Sequence, residues 1–209
     1  RQGYSNGFLQ IIDLNTSSII NIYDILNKPT IPSNKKTINN FFQNGEQLLI
    51  STGYGISSYN LNGYEFGDTY YIGDFATQIN VSSTIVHENF IYASNSDYGI
   101  LRADINSNLL DYNNWVNIYN GSVLDLIYNG DNIFFHNDNS IFKINNEDVI
   151  NLLTLENQII NFKSSDSKII IITNEECLIY NIQLTELINN INSAMYSTNF
   201  NQGIIKGNN

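Results

Sequence analysis

A unit of about 40 residues recurs along the chain, and this repeat constrains the fold more than any other feature of the sequence. Short runs of Ile, Leu, Phe, Tyr and Thr are separated by Asn-Gly, Gly-Asp, Asp-Asn and Ser-Asp pairs. Such runs and pairs are typical of β-strands joined by tight turns. No segment sustains an apolar period of helical spacing. The sequence therefore predicts an all-β protein.

One strand of each repeat ends in Asp or Asn directly before a turn, and these residues align the repeats. Successive alignment residues are 47, 44, 41 and 36 positions apart. They are Asp13, Asn60, Asp104, Asn145 and Asn181. About four short strands in a unit of this length is the signature of a β-propeller blade. We therefore expect a β-propeller with four-stranded blades of about 36–47 residues, forming part of a larger propeller protein.

The repeats divide the chain into blades that together form one β-propeller domain over residues 1–209. The chain starts in the outer half of one blade and ends in the inner half of another. The expected segments are an outer half-blade at 1–30, blades at about 36–75, 78–120, 121–156 and 157–191, and the start of a further blade at 192–209. The first residue is not Met and no apolar leader follows it, so we expect a processed or excised piece of a longer protein.

Aromatic residues are expected to pack between the blades. The stretch EFGDTYYIG, residues 65–73, follows the third strand of its blade and is predicted to form the outermost strand. Because side chains alternate along a strand, Tyr70 and Ile72 should share one face and Tyr71 the other. Large side chains at corresponding places should fill the gaps between sheets. These are Phe41, Phe90, Phe134 and Phe162.

The charge balance argues against several classes of partner. Nine Lys and Arg residues face twenty Asp and Glu residues, which gives a net charge of -11. Such a chain repels phosphate backbones and anionic membrane surfaces, so we expect no nucleic-acid partner. No apolar run reaches the roughly 18 residues of a membrane span, and we expect none. The only cysteine, Cys177, lies in an apolar run and is interpreted as a core residue.

Several stretches resemble the propeller region of PorZ proteins, a component of the type IX secretion system of Bacteroidetes. The resemblance lies in NGFLQIIDLN, INIYDI, EFGDTYYIG and IYASNSDYGILRADINSNLLDYNNW, the last at 91–115. It covers residues 1 to about 120, and from there to 209 it depends on the blade pattern alone. It implies a protein of the cell surface, associated with the outer membrane. The family acts beside a sortase-like protease that joins cargo proteins to an anionic lipopolysaccharide.

The resemblance implies a non-catalytic scaffold or binding module of the attachment complex. Its expected partners are the sortase-like protease, other attachment-complex proteins and anionic lipopolysaccharide. The alternative is the periplasmic propeller sensor of a hybrid two-component regulator that binds oligosaccharides, because such propellers share short blades rich in Asn and Gly. A propeller enzyme is the third candidate, but paired acids are needed for glycoside chemistry and Asp125 is the sole acid within an inner strand.

Catalytic, metal and cofactor sites are not expected. The two histidines, His87 and His136, lie in no known catalytic motif and are interpreted as surface or blade-packing residues. The stretch from Asp104 to Asp111 places oxygen ligands at alternate positions, as a calcium loop does. It lacks the glycine and the bidentate glutamate of such a loop. A turn rich in Asp and Asn is therefore the preferred interpretation.

Three aromatic residues are the candidate contacts with a partner or a glycan: Tyr54, Tyr98 and Trp115. Tyr54 and Tyr98 each directly precede the Gly-Ile pair that starts a third strand, so they mark corresponding loop tips on neighbouring blades. Propellers usually bind through loops on a rigid scaffold. Flat aromatic rings can stack on sugar rings or contact a protein.

Overall fold

The computed structural model describes residues 7–129, 131–165 and 167–192. In this part of the chain 18 strands form five antiparallel sheets. Helical residues are confined to single turns, at Asp24–Asn27 (α1), Ser33–Lys35, Asp74–Ala76 and Tyr112–Asn114. None of the helices found there is long or apolar enough to cross a membrane. The predicted all-β propeller class is confirmed, since each four-stranded sheet is a meander in which every strand pairs with its neighbour in sequence.

The chain divides into two compact units, residues 1–120 and 121–209. The first unit contains one two-stranded sheet and two four-stranded sheets. The two-stranded sheet is formed by β1 (Leu9–Ile12) and β2 (Ile19–Ile22). The next is formed by β3 (Ile38–Asn44), β4 (Gln47–Thr52), β5 (Gly55–Asn60) and β6 (Glu65–Tyr70). The last is formed by β7 (Ser83–His87), β8 (Phe90–Asn95), β9 (Gly99–Asp104) and β10 (Val116–Tyr119).

The Asp and Asn residues that align the repeats have a structural role in the turns that follow their strands. Asp104 accepts a hydrogen bond from the backbone N–H of Asn106 at 2.8 Å. Asn60 accepts in the same way from Asn62 at 2.8 Å. A side-chain oxygen that accepts a hydrogen bond from the backbone N–H two residues further on stabilises a turn locally, independently of strand pairing. The interpretation of the Asp104 segment as a turn is therefore confirmed.

The sheet β3–β6 is buried on both faces. Leu49, Ile56 and Tyr70 pack with residues of the sheet β7–β10, among them Ile91 and Leu101. The neighbouring positions on β4 and β5 point the other way and pack with apolar residues of β2 and of the segment around α1. Alternation along each strand thus supplies two cores, one for each face. Strands that are buried on both faces need apolar or small residues throughout. Residues 49–59, which span the end of β4, the turn and most of β5, are all buried.

Polar side chains join the two four-stranded sheets of the first unit. The Ser51 hydroxyl bonds to that of Thr84 at 2.8 Å in a fully buried position. Asn40 donates from its side chain to the Ser83 hydroxyl at 2.9 Å. Buried polar groups are tolerated when they are paired, and the second pair accounts for Asn40 and Ser83 on the inner strands β3 and β7.

The second unit contains two four-stranded sheets. The first comprises β11 (Ile127–Tyr128), β12 (Ile133–Asn137), β13 (Ser140–Asn145) and β14 (Asp148–Thr154). The second comprises β15 (Ile159–Ser164), β16 (Lys168–Thr173), β17 (Glu176–Asn181) and β18 (Leu187–Asn192). Four consecutive isoleucines of β16 are buried. Ile169 and Ile171 belong to the core shared by the two sheets, together with Phe134 and Phe162. Residues 193–209, the expected start of a further blade, and 1–6 of the expected half-blade lie outside the described residues.

The aromatic predictions are confirmed on EFGDTYYIG and at Phe134 and Phe162. Phe90 is partly buried and contacts Arg102 of its own sheet, so its packing between blades stays a prediction. Tyr70 and Ile72 belong to one core of the first unit, and Tyr71 packs against the other. Phe134 is 2% exposed and Phe162 is buried beside it. Phe41, by contrast, is 48% exposed. A register shift between Ile38 and Asn40 interrupts the regular pairing of β3 just before Phe41, so its position could not be read from alternation alone.

Candidate functional site

The expected exposure of Tyr54 is wrong. Its side chain is completely buried, in a core with Ile25 and Ile31. Tyr54 does lie in the tight turn between β4 and β5, as predicted. The segment around α1 covers the ring, however, and the local sequence of the turn gives no sign of this cover.

Trp115, a candidate contact residue because of its flat aromatic ring, is also buried. It is 7% exposed and packs in the core between the two four-stranded sheets of the first unit. Its indole N–H donates to the carbonyl of Leu109 at 3.1 Å, so its polar atom is satisfied inside the protein. Tyr98 is partly buried and packs against the same core. Of the three residues, Tyr98 is the most accessible, and its contact role stays a prediction.

A cleft of about 230 Å³ with several polar lining groups lies beside Tyr54 in the first unit. We call it the Lys28 cleft. Three segments that are distant in sequence form it: α1 with the residue after it, the start of β5, and β6. Its lining residues are Asp24, Ile25, Lys28, Tyr54, Ser57, Phe66, Gly67 and Thr69.

A chain of hydrogen bonds runs from the floor of the cleft to the Lys28 ammonium. The Lys28 Nζ donates to the Thr69 hydroxyl at 2.8 Å. Thr69 Oγ1 lies 3.4 Å from Ser57 Oγ, which lies 2.9 Å from the Tyr54 hydroxyl. Tyr54 and Ser57 are buried, whereas Lys28 and Thr69 are partly exposed. Hydrogen bonds linked in this way polarise one another and hold each hydroxyl in place.

The electrostatics of the cleft differ from those of the chain as a whole. Burial lowers the pKa of Lys28 below its ordinary value. The same cause raises the pKa of the Tyr54 hydroxyl. The Lys28 Nζ also lies 5.7 Å from the centre of the Tyr54 ring, within reach of a cation–π interaction. Lys28 is thus a partly desolvated cation in a chain of net charge -11.

The lysines near Lys28 have structural partners. Lys35 Nζ donates to the carbonyl of Gln78 at 2.9 Å, and Lys36 Nζ donates to that of Leu26 at 2.6 Å. Both therefore stabilise loops of the first unit. Lys28 differs from them because its head group points at a hydroxyl in an open cleft.

The cleft offers binding groups. It presents one ammonium, three hydroxyls and one carboxylate, that of Asp24. Glycoside hydrolysis requires two carboxyl groups on either side of the scissile bond, and this lining supplies one. Positioned donors and a cation are what holds an anionic or polar group.

Sequence reasoning missed Lys28, Ser57 and Thr69 as members of a site. They are separated by 29 and 12 positions and meet because β5 and β6 pair while α1 packs across them. Part of the signal was present in EFGDTYYIG, which forms β6 as predicted and contributes Phe66, Gly67 and Thr69 to the cleft. The stretch can form the outermost strand of its sheet and also line the cleft, because the two faces of an edge strand have different surroundings.

His136, on β12, packs between two sheets of the second unit. Its ring makes an edge contact with that of Phe162, with centres 6.3 Å apart. Burial lowers the pKa of His136 below its ordinary value, and the charge of Asp125 opposes this shift. Lys163 and Asp125 form an ion pair of 3.4 Å beside it. The interpretation as a blade-packing residue is confirmed.

We expect the second unit to lose stability as the pH falls below about 6.5, the ordinary pKa of histidine. Because the pKa of His136 is lower in the folded state, the unfolded state binds the proton more readily, and acid favours unfolding. Urea unfolding at pH 7.5 and 5.5 measures the effect. His136→Gln should reduce the difference between the two pH values; an unchanged difference would assign it to other groups.

Comparison with known proteins gives a family and a fold. A family model described as the N-terminal β-propeller domain of PorZ, of the type IX secretion system, matches residues 3–116. No curated protein sequence matches the chain. Among solved structures, PorZ of Porphyromonas gingivalis is similar with a TM-score of 0.68 and 16% identity, over 86% of this chain. That protein is described as an essential bacterial surface component of the type IX secretion system.

Two further solved structures are similar to the chain. The computationally designed Ika8 protein has a TM-score of 0.59 at 10% identity, covering 90% of this chain and 57% of its own. The extracellular domain of BT4673 from B. thetaiotaomicron, described as a one component system, has a TM-score of 0.51 at 16% identity, covering 72% of this chain and 21% of its own. Likeness at such identities shows the fold alone.

The chain spans 24% of the length of the P. gingivalis PorZ structure. The family model, in contrast, covers more than half of this chain and includes every stretch on which the resemblance was based. The chain therefore belongs to the family of PorZ N-terminal β-propeller domains.

Proposed function

We propose that the chain is a non-catalytic β-propeller scaffold and binding module of the type IX secretion attachment complex. In this role it supports the sortase-mediated anchoring of cargo proteins to anionic lipopolysaccharide at the cell surface. The single observation that carries the proposal is the match of residues 3–116 to the PorZ N-terminal propeller family.

The sheets of the first unit suit a scaffold. Its two four-stranded sheets are joined by an apolar core and by buried hydroxyl and amide hydrogen bonds. Such packing fixes the positions of the loops at the strand ends. The Lys28 cleft adds a binding point whose groups hold a ligand without supplying the acid pair of a hydrolase.

The proposed partners follow from the family. They are the sortase-like protease, other proteins of the attachment complex and anionic lipopolysaccharide. The net charge of -11 disfavours broad contact with an anionic polymer, so a lipopolysaccharide contact should be local. A protein partner with a basic surface would, in contrast, be attracted over a distance of about 8 Å at physiological salt.

Cross-linking in the source bacterium tests the proposed partners. The protein, carrying an affinity tag, is cross-linked on intact cells and purified under denaturing conditions. We expect peptides of the sortase-like protease to be enriched over those recovered with an equally abundant, tagged surface protein that has no role in secretion. Recovery of a sensor kinase, with no sortase peptides, would contradict the proposal and favour the regulator alternative.

A further inference from the structure

We propose that the Lys28 cleft binds a single anionic oxygen group, a carboxylate or a phosphate, carried by a ligand about the size of one sugar. The inference rests on the proposed function, since it gives a ligand class to the binding module.

The Lys28 ammonium lacks a counter-ion within the described part of the chain. No carboxylate there lies within ion-pair distance of Nζ, and its one hydrogen bond goes to the neutral Thr69 hydroxyl. An ammonium has three donors, so two remain for a ligand. A partly buried charge without an opposite charge is unfavourable, and the lowered pKa of Lys28 reflects this. An anion in the cleft would relieve the cost.

The hydroxyls beside Lys28 are arranged to assist. Thr69 Oγ1 accepts the Lys28 hydrogen bond, which leaves its own O–H free to donate either to Ser57 at 3.4 Å or to a ligand. The Ser57–Tyr54 pair beneath is buried and keeps Ser57 oriented. Hydrogen bonds from an ammonium and a hydroxyl to one ionised oxygen group are of the strong, charge-assisted kind.

The walls limit what can enter. Pockets for drug-sized ligands usually measure about 300–1,000 Å³, whereas this cleft measures about 230 Å³. One charged group and the ring that carries it fit such a space, and further linked sugars would lie outside it. Gly67 is exposed and contributes only backbone to the lining of the cleft. Phe66, which is partly exposed, provides apolar surface for a ring face.

Asp24 opposes the binding of an anion and thereby gives the proposal a second test. Its side chain is exposed and lines the same cleft. An anion held by Lys28 is repelled by this carboxylate, so removal of the charge should strengthen binding. If the cleft instead holds a cation or a neutral sugar, Asp24→Asn should weaken binding or leave it unchanged.

The test is an NMR titration of the whole 209-residue chain, labelled with ¹⁵N, at constant ionic strength. The probes are D-glucuronate and inorganic phosphate, with D-glucose as the neutral control. We expect at least one of the two anions to shift the backbone amide signals of Ser57 and Thr69 in a saturable manner, and D-glucose to leave them in place. Anions that fail to shift these signals, or that shift only signals elsewhere, would overturn the proposal.

Four variants define the groups involved. Lys28→Met removes the charge but keeps the apolar stem, and we expect it to weaken binding at least tenfold. Lys28→Arg should retain binding, and Asp24→Asn should strengthen it. Lys168→Met, which removes an exposed lysine of the second unit, is the control and should bind as the original chain does. Equal binding by Lys28→Met and the original chain would overturn the proposal, as would weaker binding by Asp24→Asn.

The outcome is separable from that of the cross-linking experiment. Loss of anion binding in Lys28→Met with no sortase recovered would support the ligand class and contradict the attachment role. Recovery of the sortase-like protease without anion binding by the original chain would support the attachment role and contradict the ligand class. Because Lys28→Met could alter folding, the urea midpoint of each variant is measured, and Asp24→Asn provides an independent change of opposite sign at an exposed position.

Discussion

Gly55→Ala is expected to lower the free energy of unfolding of the first unit by about 3 kcal/mol. Gly55 begins β5 with a φ of +143°, a conformation that residues with a side chain rarely adopt. A methyl group there would also collide with the carbonyl oxygen of Tyr70, which belongs to the paired strand β6. Since that oxygen is part of the backbone, the collision can be relieved only by moving the sheet.

Gly45→Ala separates the two causes. Gly45 also has a positive φ, of +59°, but no atom lies within 4 Å of the position its Cβ would take. Gly45→Ala should lower the free energy of unfolding by about 1 kcal/mol, the cost of the backbone conformation alone. The only tryptophan, Trp115, is buried in the first unit, so its fluorescence during urea unfolding reports on that unit. If Gly55→Ala and Gly45→Ala lower the free energy of unfolding equally, the close approach of β5 to β6 is unimportant for stability.

Phe134→Ala is expected to destabilise the second unit by about 3–5 kcal/mol. The Phe134 ring is 2% exposed and packs in the core shared by the two sheets, beside Ile159 and Phe162. Truncation removes its apolar surface from the core and leaves a cavity that the flanking strands cannot close without losing their pairing.

Ile160→Ala is the matched control for Phe134. Ile160 lies on β15 directly after Ile159, a residue of the same core, but it is 41% exposed. We expect it to change the stability by less than about 0.5 kcal/mol. The only cysteine, Cys177, lies on β17 of the second unit and is partly buried. The urea dependence of its reaction with a thiol reagent therefore follows this unit. Comparable losses in both variants would contradict the assignment of Phe134 to the core.

The blade pattern could be predicted because it depends on local chemistry. Asp104 and Asn60 each end a third strand and bond to the following turn, and this role follows from the residue type and its position. The Gly-Ile pairs at Gly55 and Gly99 are likewise local: both glycines have a positive φ where the chain re-enters the sheet. Repetition of such signals at a period of about 40 residues indicates the fold.

The errors arose where the outcome depends on contacts between distant segments. Tyr54 and Tyr98 precede equivalent Gly-Ile pairs and were predicted to be exposed loop tips. Tyr54 is fully buried because the segment around α1, some 30 residues earlier in the sequence, packs over it. Phe41 differs from Phe134 because a register shift precedes it on β3. Neither effect is encoded in the few residues around the aromatic position.

The Lys28 cleft was beyond local reasoning for the same reason. Lys28 lies in a loop that contains two other lysines nearby, Lys35 and Lys36, and the sequence does not distinguish among them. The structure does: two of them donate to backbone carbonyls, and Lys28 reaches the hydroxyl of Thr69, 41 positions away. Such a site becomes visible only once the pairing of β5 and β6 and the packing of α1 are known.

The most direct test of the proposed function is made in the source bacterium. The gene that encodes the protein is deleted, and the amounts of sorting-signal cargo on the cell surface, in the periplasm and in the medium are measured, with a complemented strain as the control. A role in the attachment complex predicts cargo that is unprocessed or released from the cell, and its return to the surface on complementation. Cargo that stays processed and attached in the deletion strain would contradict that role.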